Sequence, residues 1–165
     1  MVEEAVLAAP LTATVLRPGG FAAMTLGRAA SIRAGRPVEQ AYPNARLDVI
    51  HPEDIADVAE LALTTDALEA ETISLGGPHA LSFRDRTRIL AELLDHDIEL
   101  REVTREQAAA QLTGHVPEPF VEAVLDYWAH TTDESVQAPR SAERITARPA
   151  RTFHQWAAES LAAFR

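Results

Sequence analysis

Five groups of residues have the types and spacing to do chemistry. The first is Arg17-Pro18-Gly19-Gly20-Phe21, which follows an apolar, β-branched run from Leu11 to Leu16 and precedes a helical pattern from Phe21 to Ala34. That reads as strand, glycine loop, helix, and in open α/β sheets ligands bind beside the carboxyl ends of strands, where such loops lie. Gly19 and Gly20 would let a ligand approach the backbone closely. The second is His51 with Asp54. His51 has an unperturbed pKa of about 6.5 and could donate a proton at a pocket rim. Pro52, Glu53 and Asp54 are also what starts a helix, with proline at the first position and carboxylates in the first turn. The third is Gly76-Gly77-Pro78-His79, a turn that could wall a substrate pocket. The fourth is Arg84, Arg86 and Arg88, which could hold an anion but alternate along a helix without sharing one face, so a solvated surface is expected. The fifth is aromatic: Trp128, Phe153, Trp156 and Phe164 sit at helical spacing and are expected to anchor a core or an interface.

Other chemistry is excluded by composition. The chain has no cysteine, hence no thiolate nucleophile, disulfide or zinc–thiolate site. All 15 basic residues are arginine, which removes a Schiff-base lysine and any Tyr-x-x-x-Lys pair within these residues. No Ser/His/Asp arrangement has supporting context, and His51 with Asp54 lacks a third metal ligand, so no metal site is expected. With 25 acidic residues and a net charge of -10, a nucleic-acid or anionic-membrane surface is disfavoured. No apolar run approaches the roughly 20 residues of a membrane span. The start, Met1-Val2-Glu3-Glu4, is acidic where a signal peptide needs a basic region, so a cytoplasmic protein is expected.

The elements that position these residues alternate. Val2 to Ala9 reads as a short helix ended by Pro10. Strands are expected at Leu11–Leu16, Arg46–Ile50, Glu71–Leu75 and Ile98–Val103, with a weaker extended piece from Pro37 to Tyr42. Helices are expected from Pro52 to about Thr65, with Ile55, Val58, Ala59, Ala62 and Leu63 on one apolar face, and from Ser82, an N-cap with Asp85 three residues on, to about Leu94. Further helices run from Thr104 to Leu112, from Phe120 to His130 and from Thr152 onward. Thr131 to Arg140 reads as irregular, and Ala142 to Arg151 as a basic linker. The expected fold class is α/β: a mainly parallel sheet with a smaller, mostly helical C-terminal subdomain.

Four segments in order resemble the C-terminal half of the NmrA-like proteins, atypical members of the short-chain dehydrogenase/reductase superfamily. Thr12–Phe21 is similar to that family's strand ending in Leu-Arg-Pro-Gly-x-Phe. Val49–Ala59 is similar to its His-Pro-x-Asp-Ile-Ala segment. Ile73–Ser82 is similar to its Gly-Pro-x-x-Leu-Ser segment. Arg148–Phe164 is similar to its Gly-Arg-Pro-Pro-Arg-Thr-Phe-x-x-Trp-Ala tail, with Ala147 and Ala150 departing at the Gly and the second Pro. The resemblance implies that residues 1–80 belong to a Rossmann-like NAD(P)-binding domain and 81–165 to a helical substrate-side subdomain. It implies that Arg17, Pro18, Gly19, Gly20 and Phe21 lie against the nicotinamide of NAD or NADP, and that His51, Gly77 and Pro78 face the substrate pocket.

The family's glycine-rich Gly-x-x-Gly-x-x-Gly turn, which holds the cofactor pyrophosphate at a helix N-terminus, has no counterpart: neither Gly19-Gly20 nor Gly76-Gly77 fits that spacing. About four strand–helix units, roughly 120 residues at ~30 per unit, are thereby expected to be missing. The expectation is the substrate-pocket portion of an oxidoreductase acting on a small carbonyl or quinone-type molecule, truncated and inactive alone. It would require a complementing N-terminal chain or a homodimer. A non-catalytic NAD(P)-sensing module or an inactive truncated product are the alternatives. An unpaired edge on the first strand would favour association.

Overall fold

The computed structural model describes residues 2–133 and 141–165. Seven short strands and eight α-helices alternate along them: α1 (Val2–Leu7), β1 (Val15–Pro18), β2 (Gly20–Phe21), α2 (Ala29–Arg33), β3 (Val38–Gln40), β4 (Arg46–Ile50), α3 (Pro52–Thr64), β5 (Thr72–Leu75), β6 (Ala80–Ser82), α4 (Phe83–Leu94), β7 (Leu100–Glu102), α5 (Arg105–Leu112), α6 (Glu118–Asp133), α7 (Ser141–Thr146) and α8 (Phe153–Glu159). Two 3-10 helices, Ala22–Arg28 and Leu161–Phe164, complete the set. The α/β class expected from the alternating pattern is what is found.

The strands form three small sheets. β1 pairs with β5 in parallel, Val15 opposite Thr72 through Pro18 opposite Leu75. β4 is central to the second, with β2 parallel on one side and β6 antiparallel on the other. β3 and β7 form a parallel pair. Parallel pairing needs crossovers, and the helices supply them.

Several boundaries differ from the sequence expectation, each for a local reason. The first strand begins at Val15 rather than Leu11, because its partner β5 starts at Thr72 and offers no ladder upstream. Thr14 instead donates its hydroxyl to the Leu68 carbonyl at 2.7 Å. Arg17 and Pro18 belong to that strand rather than to the turn. The expected Phe21–Ala34 helix is a 3-10 helix up to Arg28 and α-helical only from Ala29. Phe21, Met24 and Leu26 on it are exposed, while Ile32 is buried. On α3, Val58 is buried but Leu63 is exposed. The supposed linker contains α7, whose Ala142 and Ile145 pack with Ile50, Val58 and Leu75. α6 continues through Thr131 and Thr132; the rest of the segment read as irregular, 134–140, lies outside the described residues.

Three helices are started by the side chains that the sequence marks. Ser82, Thr104 and Thr152 each accept the third residue's N–H while Asp85, Gln107 and Gln155 reach back, so each satisfies two otherwise free donors. The main core gathers β4, the 3-10 segment, α4 and the C-terminal α8. Phe153, Trp156 and Phe164 are buried in it, with Trp156 edge-on to Phe164. Among the described residues, no helix is long and apolar enough to cross a membrane.

Candidate functional site

Strand β1 runs straight into the glycine loop, and β2 then turns alongside β4. The side chain of Asp48, in the middle of β4, fills the space beneath the loop. A Cβ on Gly19 would sit 2.4 Å from its carboxylate, so only glycine fits without displacing that group. Burial raises the Asp48 pKa, offset in part by its own N–H and that of Gly20. Asp48 went unmarked in the sequence, although the alternation of RLDVI puts it on the face opposite Leu47 and Val49. Gly77 is held by a harder limit: a Cβ there would lie 1.9 Å from the Val49 carbonyl oxygen. Loop 76–78 therefore presses directly on β4. Gly76 donates its N–H to Ser141 Oγ at 3.0 Å, tying that loop to α7.

Beyond the carboxyl end of β2 lies a cavity of about 290 Å³. It is enclosed by the 3-10 segment, β3, α4, α5 and α6, and Phe21, Met24, Arg28, Phe83, Arg86 and Trp128 give it its character. Phe83 stacks edge-on to Trp128, with ring centres 5.1 Å apart. Two guanidinium groups lie against the same Phe83 ring, Arg86 at 4.3 Å and Arg28 at 4.9 Å. Arg86 is 4% exposed. Desolvation, reinforced by Arg28 and partly opposed by Asp85, lowers its pKa to about 9, and desolvation lowers that of Arg28 to about 10. Both remain cationic at neutral pH.

Of the eight residues expected to form the site, Gly20 and Phe21 line this cavity. Arg17 points away and pairs with Glu3 on α1. Pro18 closes β1, and Gly19 and Gly77 pack against β4, with Pro78 partly buried beside it. His51 is 4% exposed, with both ring nitrogens engaged: Nδ1 accepts the Glu53 N–H at 3.1 Å, and Nε2 faces Glu159 of α8 at 3.2 Å. It caps α3 and ties down the C-terminal helix. Asp54 does not pair with His51. Its two oxygens take the Arg151 guanidinium at 2.6 Å and the Arg151 N–H at 2.9 Å, and Arg151 also reaches Asp57 at 2.8 Å. The family-like segments Val49–Ala59 and Arg148–Phe164 thus meet through an ion cluster. The arginine series is corrected most: Arg84 and Arg88 are exposed as expected, whereas Arg86 is buried. Its place was legible in retrospect, since Phe83, Arg86 and Leu90 fall at helical spacing on the inward face.

No family model matches the chain. A curated relative, the (4-alkanoyl-5-oxo-2,5-dihydrofuran-3-yl)methyl phosphate reductase of Streptomyces griseus, is 31% identical over 163 residues, 98% of this chain and 58% of that protein. The NAD(P)H azoreductase of Xenophilus azovorans is 29% identical over 92% of this chain and 54% of that protein. Among solved structures, an NADPH-dependent quinone oxidoreductase from Escherichia coli superposes with a TM-score of 0.75 at 16% identity, covering 97% of this chain and 57% of its own. The fold is that of the Rossmann-like reductases. The same oxidoreductase has been seen with NADPH, and the triphenylmethane reductase of Citrobacter, TM-score 0.62 at 18% identity over 82% of this chain and 48% of its own, with NADP(H). The chain spans about half the length of the relatives it matches.

Proposed function

We propose that this chain is the substrate-side portion of an NmrA-like NAD(P)H-dependent oxidoreductase, corresponding to the C-terminal half of such a protein. In the complete assembly the nicotinamide supplies a hydride to a small carbonyl- or quinone-type substrate. The observation that carries this reading is a coincidence of place. A ligand-sized cavity opens at Gly20–Phe21, at the carboxyl end of β2, in a chain that aligns almost end to end with reductases.

In this reading the Arg17–Phe21 loop meets the nicotinamide through Gly20 and Phe21, while Arg17, Pro18 and Gly19 hold that loop in place. His51, Gly77 and Pro78 act one layer behind, by fixing loop 76–78 and α3 against β4. Residues 1–80 form the cofactor side and 81–165 the substrate side. The residues present suit the nicotinamide end of the cofactor but include no glycine turn for its pyrophosphate. A complementing nucleotide-binding half is therefore the partner proposed. The relatives' names span a phosphate ester, an azo compound and a quinone, and leave the substrate class open.

Calorimetry with NADPH and NADH tests the reading. The chain alone is expected to show no binding, and binding is expected to appear when a glycine-rich nucleotide-binding half is supplied. Tight binding by the chain alone, or none in either case, would sink it. A non-catalytic cofactor-sensing module is favoured by one observation: His51, the expected proton donor, has both nitrogens engaged away from the cavity. Cofactor oxidation on adding quinone or enone substrates would decide against that alternative.

A further inference from the structure

Arg86 is a buried cation that forms no ion pair among the described residues, its nearest acid, Asp85, acting on it only through space. Its Nη2 has no hydrogen-bond partner, and its Nε makes only a long contact of 3.4 Å to the Ser82 carbonyl. Arg28, the second guanidinium on the Phe83 ring, donates to the Gln40 side chain and has no carboxylate partner among the described residues. The acids nearby are committed elsewhere. Asp85 serves the Ser82 cap and lies near Arg46 and Arg88. Glu39, at the cavity edge, accepts from Gln111 at 2.6 Å and faces Arg101. Two desolvated like charges against one ring, neither in an ion pair, are unfavourable unless something negative joins them.

We infer that the cavity binds a ligand bearing an oxyanion, a phosphate ester or a carboxylate, held by Arg86 and Arg28, with its apolar body against Phe21, Met24 and Trp128. The inference rests on the substrate-side reading above and names the substrate class for it. Guanidinium groups suit this task because their donors form a planar fork that matches two oxygens at once. The apolar lining suits it because an oxyanion in a water-poor site is held more strongly than on the surface. A volume of about 290 Å³ accommodates an aromatic or short acyl body with one such group.

Calorimetry on the 165-residue chain with phenyl phosphate, benzoate and phenol tests the assignment. At least one of the two anions is expected to bind one to one and at least tenfold more tightly than phenol. Whichever binds better identifies a phosphate or a carboxylate site. Arg86→Met is expected to reduce that preference at least tenfold. If Arg86→Met does not fold, Arg28→Gln, at a less buried position, is expected to show the same loss. Equal affinity for phenol and the anions overturns the assignment, as does a preference that survives in the folded variants. Inorganic phosphate binding as tightly as phenyl phosphate also overturns it, since the apolar wall would then contribute nothing. No cofactor enters the measurement. Failure of the reductase reading would therefore leave this result standing, and loss of the anion preference would leave the reductase reading in place.

Discussion

Two arginines meet opposite electrostatic fates. Arg151 lies between Asp54 and Asp57, with every contact an ion pair and the Asp54 carboxylate also taking its backbone N–H. Arg86 lies against Phe83 and Arg28, with an empty donor and no ion pair among the described residues. The first arrangement is complete within the chain. Its charges neutralise each other, and its product is position: it clamps the segment entering α8 onto the start of α3. The second is incomplete, and the missing partner is a negative charge. A buried charge satisfied at home marks structure, whereas one left unsatisfied marks a place for a ligand.

That contrast is broken or sharpened most strongly at Arg151. Arg151→Met leaves Asp54 buried with only the backbone N–H for company. Removing one member of a buried pair typically costs ~3–5 kcal/mol. Because the Arg151 side chain is 33% exposed and one hydrogen bond survives, a loss of about 2 kcal/mol is expected by denaturant titration. Unchanged stability would show that the clamp is ornamental.

The sequence made the first site half visible and hid the second. Asp54 and Arg151 were both in segments that resembled family motifs, but nothing in either segment says that they meet across 97 positions. Local helix-start chemistry was enough to explain His51-Pro52-Glu53-Asp54, so the tertiary ion pair left no separate trace. Arg86 was masked by its neighbours. Between exposed Arg84 and Arg88 it looked like one more solvated charge, and only the spacing from Phe83 and Leu90 gives it away. Arg46–Ile50, paired at both flanks, was readable to the residue. β2 and β6 were not, since two or three residues carry no period, and their existence depends on β4 lying between them.

Arg86→Met should behave in the opposite sense to Arg151→Met. It removes a desolvated charge repelled by Arg28 and forfeits the contact with Phe83, worth ~1 kcal/mol. The two nearly cancel, so ligand-free stability is expected to stay within about 1 kcal/mol of wild type or to rise. A loss as large as that of Arg151→Met would mean that Arg86 is a structural residue, and the distinction between the two sites would collapse.

The smallest effect is the most diagnostic. Thr25 is 2% exposed, and its Oγ1 is the other buried side-chain atom without a partner among the described residues. It lies in the narrow void shared with Arg28, Arg86 and Thr87. Thr87, also buried, donates its hydroxyl to the Phe83 carbonyl at 2.9 Å. Valine replaces threonine with nearly the same shape, so each substitution isolates a hydroxyl. Thr87→Val loses a made hydrogen bond and is expected to cost ~1 kcal/mol. Thr25→Val loses nothing that the ligand-free chain uses, and removes a desolvated polar group, so its stability should be equal or higher by ~0.5 kcal/mol. If the hydroxyl turns toward a bound oxyanion beside Arg86, the same variant weakens phenyl phosphate binding several-fold while leaving phenol unaffected. Matching losses of stability at Thr25 and Thr87 would show instead that both hydroxyls serve the fold, and would leave Arg86 as the sole unsatisfied donor from which an anion site could be argued.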